Sequence, residues 1–239
     1  MEKPAIRSKI ITWGGYLALT LLLGLALSVF IVRAGQWQQG LLLYALCCAG
    51  SAALLAVFLI TMAVPRFSTV RRHLLLPTLA ALPGGILFLI LLLTRGDYPA
   101  IHDVTTDVVS PPVFTRAVQI RDQSANSLVL NEQTLAAQQA AYPDLKPTHS
   151  TLNFDQAFAH AMEVAEQLGW EITHSDPQAG TIEAVATTTI MAFKDDIVIR
   201  LQRSGSGTLI DLRSASRVGQ SDLGANASRI RTFLGRYKS

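Results

Sequence analysis

The sequence predicts a membrane α-helical bundle of three transmembrane helices, followed by an α+β two-layer domain with an antiparallel, helix-grip-like sheet. Three apolar runs without Asp, Glu, Lys, Arg or His predict the bundle, at about 10–32, 41–64 and 74–94. Helical and alternating patterns further along the chain predict the domain. We therefore divide the chain into an anchor over 1–97 and a periplasmic domain over 98–239, in which 98–150 form an irregular, extended segment.

Each apolar run is long enough to cross a bilayer, because about 20 helical residues span its hydrocarbon core. The first run is also too long for the apolar part of a secretory signal peptide, so we expect it to stay as an anchor. Residues 1–97 hold eight Lys or Arg and two Asp or Glu, whereas 98–239 hold twelve and fifteen. The basic excess therefore belongs to the apolar half, which argues against nucleic-acid binding.

The basic residues flanking the spans predict an orientation, since positive flanks face the cytoplasm. Three lie before the first span, one after it, and three between the second and third: Lys3, Arg7, Lys9, Arg33, Arg66, Arg71 and Arg72. We expect a multi-pass protein of the bacterial inner membrane, with its N-terminus in the cytoplasm and its C-terminal domain in the periplasm. Membrane lipid is the expected surrounding of the spans.

The spans lack the ionisable residues that ion and proton paths need, so an anchor is favoured over a transporter. Gly24 and Ser28 in the first span, and Ala45, Ala49 and Ala53 in the second, are small residues four apart. Such spacing predicts that the helices approach closely along these stripes.

The elements of the domain follow from local patterns. We expect a short helix over 131–141 with an apolar side, a strong amphipathic helix over 153–168, and strands over 170–174 and 181–187. A final amphipathic helix spans 224–237. The order helix, antiparallel strands, helix gives the two-layer architecture.

A hairpin between the last two strands can be registered from the sequence alone. Residues 197–203 and 208–215 alternate, and a two-residue turn at Gly205-Ser206 suits type II′ geometry. This register pairs Arg200 with Asp211 on one face. The opposite charges across the pair support it.

A cluster of Asp, Arg, Ser and Asn side chains is the candidate site. Its members are Asp195, Asp196, Arg200, Asp211, Arg213, Ser214, Ser216, Arg217, Asp222, Asn226 and Arg229. Arginine suits bidentate recognition of carboxylate or phosphate, and the N-terminus of the last helix could receive an anion. We expect the domain to bind an envelope protein partner or an anionic envelope ligand without catalysis. No cofactor or metal is expected.

Two alternatives remain open for the same residues. They could form a structural ion-pair network, with an assembly role in the membrane. They could also serve a cell-envelope hydrolase that uses Asp196 as its base, although Asp195 and Asp196 should point to opposite faces of the strand. The sequence predicts no oligomeric state.

Several segments also carry a family resemblance over about 98–236. They are IHD at 101–103, TD at 106–107, PPVF at 111–114, GTIEA at 180–184, FKDDIVIR at 193–200, DLRSASRVG at 211–219, DLGANA at 222–227 and RIR at 229–231. Together they resemble the bacterial domain-of-unknown-function family 1499. The function of this family is unknown, so the resemblance implies a membrane-anchored protein and supplies no catalytic residues.

Overall fold

The computed structural model describes residues 3–94, 96 and 98–238. The chain divides into two compact units, Met1–Arg95 and Gly96–Ser239. The first unit is entirely helical in its described part, and the second combines a sheet with helices.

The first unit contains three long helices: α1 (Lys3–Arg33), α2 (Trp37–Ala63) and α3 (Arg71–Leu93). A 3₁₀ segment, Pro65–Val70, joins α2 to α3. Ile11–Arg33, Trp37–Ala63 and Pro65–Leu93 are long and apolar enough to cross a membrane. The prediction of three spans is confirmed.

Small residues bring these helices together, but only part of the predicted set does so. A Cβ added to Gly24 would collide with the sulfur of Cys47, and Ser28 is buried. Ala45, Ala49 and Ala53 are instead exposed, so the prediction of a contact stripe there is wrong. The packed side of α2 carries Cys47, Cys48 and Ser51, because these positions lie on a different face of the helix.

The second unit contains six strands and four helices among its described residues. In chain order they are β1 (Asp103–Thr105), α4 (Ala117–Ile120), α5 (Glu132–Ala141), β2 (Thr148–Ser150), α6 (Phe154–Gln167), β3 (Glu171–Asp176), β4 (Thr181–Thr187), β5 (Lys194–Ser204), β6 (Gly207–Ser216) and α7 (Ala225–Lys238). All pairs are antiparallel in the order β1-β6-β5-β4-β3, and β2 also pairs with β6. The α+β class is confirmed.

The hairpin of β5 and β6 has the predicted register. Arg200 lies opposite Asp211, and Ser204 lies opposite Gly207. Gly205 has φ of 61°, the left-handed value that the first position of a type II′ turn requires.

Helices α6 and α7 cover one face of the sheet, called here the helix side. Asn153 caps α6 by accepting a hydrogen bond from the N–H of Gln156. Trp170 stacks on Phe233 of α7 with ring centroids 5.4 Å apart. The sheet residues that complete this core are Val104, Ile182, Ala184, Ala186, Ile197, Ile199, Leu201, Ile210 and Leu212. Burial of this apolar surface is what fixes the helices on the sheet.

Helix α5 differs from its predicted packing. Ala136 and Ala140 are exposed, whereas Gln138 is 1% exposed, so the expected apolar side is wrong. The Gln138 amide exchanges two hydrogen bonds with the backbone of Thr105, at 2.9 and 2.6 Å. A polar side chain therefore docks this helix onto the edge strand β1.

The opposite face of the sheet is covered by residues 107–129 and is called the segment side. Phe114 and Ala117 pack there against Val198 and Ala215, with Leu128 beside them. Neither β1 nor α4 was expected from the sequence. This second cover leaves Asp196, Arg200, Asp211 and Arg213 between the sheet and the segment.

Candidate functional site

The predicted polar cluster divides between the two faces of the sheet. Asp195 and Ser214 belong to the helix side, and Asp196, Arg213 and Asp211 to the segment side, because successive strand residues alternate. The residues proposed as one site therefore form two groups separated by the sheet.

The helix-side group centres on the amide of Asn226, which is fully buried. Its oxygen accepts hydrogen bonds from Ser214 Oγ at 2.7 Å and Arg229 Nη1 at 2.6 Å. Its nitrogen donates to Ser216 Oγ at 2.9 Å. Arg229 also pairs with Asp195. These contacts hold the start of α7 on the ends of β5 and β6.

The N-terminus of α7 already has a carboxylate. Asp222 accepts hydrogen bonds from the N–H groups of Gly224 and Asn226, at 2.9 and 2.8 Å. An Asp in this position satisfies free N–H groups and favours the positive end of the helix dipole. The chain's own carboxylate thus lies where we expected an external anion.

On the segment side, Arg213 forms a buried two-pronged ion pair with Asp103 of β1. Nε and Nη2 donate to the two carboxylate oxygens at 3.0 and 2.7 Å. The same guanidinium donates to the carbonyls of Pro112 and Leu128. Arg213 is 5% and Asp103 2% exposed. Arg213 therefore fastens both ends of the covering segment to the sheet.

Asp196 is held in the same way by Arg217, with Nε and Nη2 at 3.0 and 2.7 Å from its two oxygens. Nε of Arg121 lies 3.2 Å from Oδ2 of the same carboxylate. Asp196 is 1% exposed. Its oxygens face arginines rather than an open site. This arrangement disfavours the alternative of a hydrolase that uses Asp196 as its base.

Arg200 bridges two carboxylates in the half of the hairpin nearer its turn. Its Nη2 lies 2.9 Å from both Asp211 and Asp107, and its Nη1 donates to the carbonyl of Ser110. Burial opposes ionisation of Asp107, but hydrogen bonds from the N–H groups of Ser110 and Val109 and from Arg200 lower its pKa overall.

Glu183 is a further buried charge on this face that the sequence reasoning missed. It is 1% exposed. Its carboxylate accepts hydrogen bonds from the N–H groups of Thr115, Arg116 and Ala117, at 2.7 to 2.8 Å. Alternation along β4 was the available signal, since it places Glu183 on the face opposite Ile182.

A pocket of about 480 Å³ opens between the covering segment and the sheet. Arg121 and Arg213 contribute to its lining, together with apolar side chains of the segment. Nη1 of Arg121 has no hydrogen-bond partner within the described part of the chain, and its side chain is 5% exposed. Burial lowers the pKa of Arg121, while Asp196 acts in the opposite direction. The pocket thus combines an incompletely paired guanidinium with an apolar rim.

The model of the family described as a protein of unknown function (DUF1499) matches residues 103–236, more than half of the chain. No curated protein matches the chain. The family match covers β1 to α7 and includes both groups of the polar cluster.

Proposed function

The chain belongs to the DUF1499 family of proteins of unknown function, and on that premise we propose that it is a membrane-anchored, non-enzymatic binding protein. Its α+β unit binds an anionic envelope ligand or an envelope protein partner, and its three helices hold that unit at the membrane. The site is the pocket lined by Arg121 and Arg213. The buried ion pairs around it are its scaffold.

The observation that carries this proposal is the exposed apolar rim of a pocket with a basic floor. Val113, Val118 and Val129 line the pocket and are 71%, 63% and 80% exposed. Exposed apolar residues gathered around a concavity are typical of binding sites, whereas scattered ones are not. The volume of the pocket lies within the range of about 300–1,000 Å³ that suits small ligands.

The bundle supports a placement of this unit outside the cytoplasm. Ile11 of α1 lines one pocket together with Thr69, Val70 and His73, so the start of α1 and the junction of α2 with α3 share one end of the bundle. The two segments that carry the basic residues therefore share that end, which faces the cytoplasm by the positive-inside rule. Three crossings then bring the α+β unit to the periplasmic side of a bacterial inner membrane.

This topology can be tested with reporters fused to the C-terminus. We expect the alkaline phosphatase fusion to be active, because this enzyme needs an oxidising periplasm to fold. The fusion with green fluorescent protein should not fluoresce. The reverse pattern would place the unit in the cytoplasm.

The binding function can be tested by native mass spectrometry of the full chain, extracted gently with its surrounding lipid. A bound species of defined mass should be present on the wild type and absent from Val129→Asp. Val109→Asp is the matched control, because Val109 is 92% exposed and does not line the pocket. Identical adducts on both variants, or bare protein in all samples, would contradict the proposal.

A further inference from the structure

Arg121 is the feature of the pocket that the scaffold leaves incompletely satisfied. Its Nη2 donates to the carbonyl of Ser216 at 3.3 Å, and its Nε lies near Asp196 without forming a hydrogen bond. Its Nη1 has no partner among the described residues. A buried guanidinium normally has its donors paired, because an unpaired buried charge is unfavourable.

The charges around Arg121 leave one positive charge in excess. Asp103 is taken by Arg213, and Asp196 is shared between Arg217 and Arg121. Three guanidinium groups thus face two carboxylates. A single anionic group of a ligand would complete the charge balance.

One further carboxylate borders the pocket and could offset the positive charge of Arg121. Asp122 lines the pocket beside Arg121, but it is exposed to solvent. Water and salt screen an exposed charge much more than a buried one, so the buried Arg121 dominates the field inside the pocket.

Apart from the polar side chains of Gln123 and Asn126, the rest of the pocket lining is apolar. Phe114 and Leu128 form its inner wall and belong to the small core of the segment side. Val113, Val118 and Val129 form its outer rim. A ligand that only carried a charge would leave these valines exposed to water, whereas an alkyl chain would cover them.

We infer that the pocket binds an anionic amphiphile, whose carboxylate or phosphate head accepts hydrogen bonds from Arg121 and whose alkyl chain lies along the valine rim. This inference rests on the proposed binding function and names its ligand class.

The test is a calorimetric titration of the full chain in phosphatidylcholine nanodiscs, with protein-free nanodiscs as the blank. The probes are octyl phosphate, inorganic phosphate and octyltrimethylammonium. We expect octyl phosphate to saturate one site with a Kd at least tenfold lower than that of inorganic phosphate. The cationic probe should show no saturable binding.

Variants then locate the site. Arg121→Gln and Val129→Asp should each raise the Kd of octyl phosphate at least tenfold. Arg116→Gln should leave the Kd of octyl phosphate unchanged. This variant removes the same charge from the same stretch of chain, but Arg116 is exposed and does not line the pocket. Val129 is exposed, so its variant keeps the test valid even where Arg121→Gln unfolds.

Three results would overturn the inference. They are equal octyl phosphate binding by wild type and Val129→Asp, equally tight binding of inorganic phosphate, and no binding of octyl phosphate. The last result, combined with a Val129-dependent adduct in native mass spectrometry, would leave the binding function in place and remove only this ligand class.

Discussion

Replacing Arg213 with Met should strongly destabilise the α+β unit, because it would leave the carboxylate of Asp103 buried without a counter-charge. Asp103 is 2% exposed, and both of its oxygens accept hydrogen bonds from Arg213. The carbonyls of Pro112 and Leu128 would lose a donor as well. Breaking a buried pair on one side costs about 3–5 kcal/mol.

An exposed ion pair in the same unit provides the control. Arg231 pairs with Asp144 with comparable two-pronged geometry, at 2.7 and 2.8 Å, but both side chains are about half exposed. Arg231→Met should therefore cost about 0–1 kcal/mol. The double variant Arg213→Met, Asp103→Leu should recover much of the lost stability, since an apolar pair can replace a buried ion pair at little cost.

The assay is denaturant unfolding of the full chain in detergent, followed by the fluorescence of Trp170. This residue stacks on Phe233 and is 8% exposed, so its emission reports the core of the unit. Replacing Trp13 and Trp37 with Phe leaves Trp170 as the only tryptophan. Equal free energies of unfolding for the Arg213 and Arg231 variants would refute the claim that the buried pair supports the fold.

Three further predictions follow from contacts described above or in the same unit. Glu183→Gln should destabilise the unit by about 2 kcal/mol in the same assay, because an amide cannot accept all the hydrogen bonds that the carboxylate receives from the N–H groups of Thr115, Arg116 and Ala117; an unchanged midpoint would contradict this. Gly207→Ala should weaken the pairing of β2 with β6, since the added Cβ would collide with the backbone oxygen of Ser150; faster amide exchange in β2 should report it, and unchanged exchange would count against it. Hydrogen bonds from Arg231 lower the pKa of Asp144. The small stabilisation by this pair should therefore be present at neutral pH and disappear as the pH falls below the ordinary Asp pKa of about 4. The difference in melting temperature between wild type and Arg231→Gln should shrink on acidification, and a difference that grows would refute this.

Local patterns were sufficient to predict α5, α6, α7 and the central hairpin. The register of β5 and β6 followed from alternation and a two-residue turn, both of which are properties of neighbouring residues. The cap of α6 at Asn153 was visible for the same reason. The three spans followed from length and composition alone.

The arrangement of the polar residues could not be predicted in the same way. Asp103 lies 110 residues from Arg213, and their pairing depends on how β1 joins the sheet. Arg121 was missed because its significance comes from the contacts that it lacks in the folded unit. Asp195 and Arg213 were grouped in one site, although strand alternation separates them by a sheet. Buried polar residues depend on distant partners, so spacing along the chain does not reveal their roles.

Hydrogen–deuterium exchange of the full chain would show whether the pocket of the segment side holds a ligand. The chain would be compared as extracted with native lipid and after exhaustive washing in mild detergent. We expect slower exchange in residues 113–129 of the unwashed protein, and loss of that protection in Val129→Asp but not in Val109→Asp. Equal exchange of this segment before and after washing would contradict it.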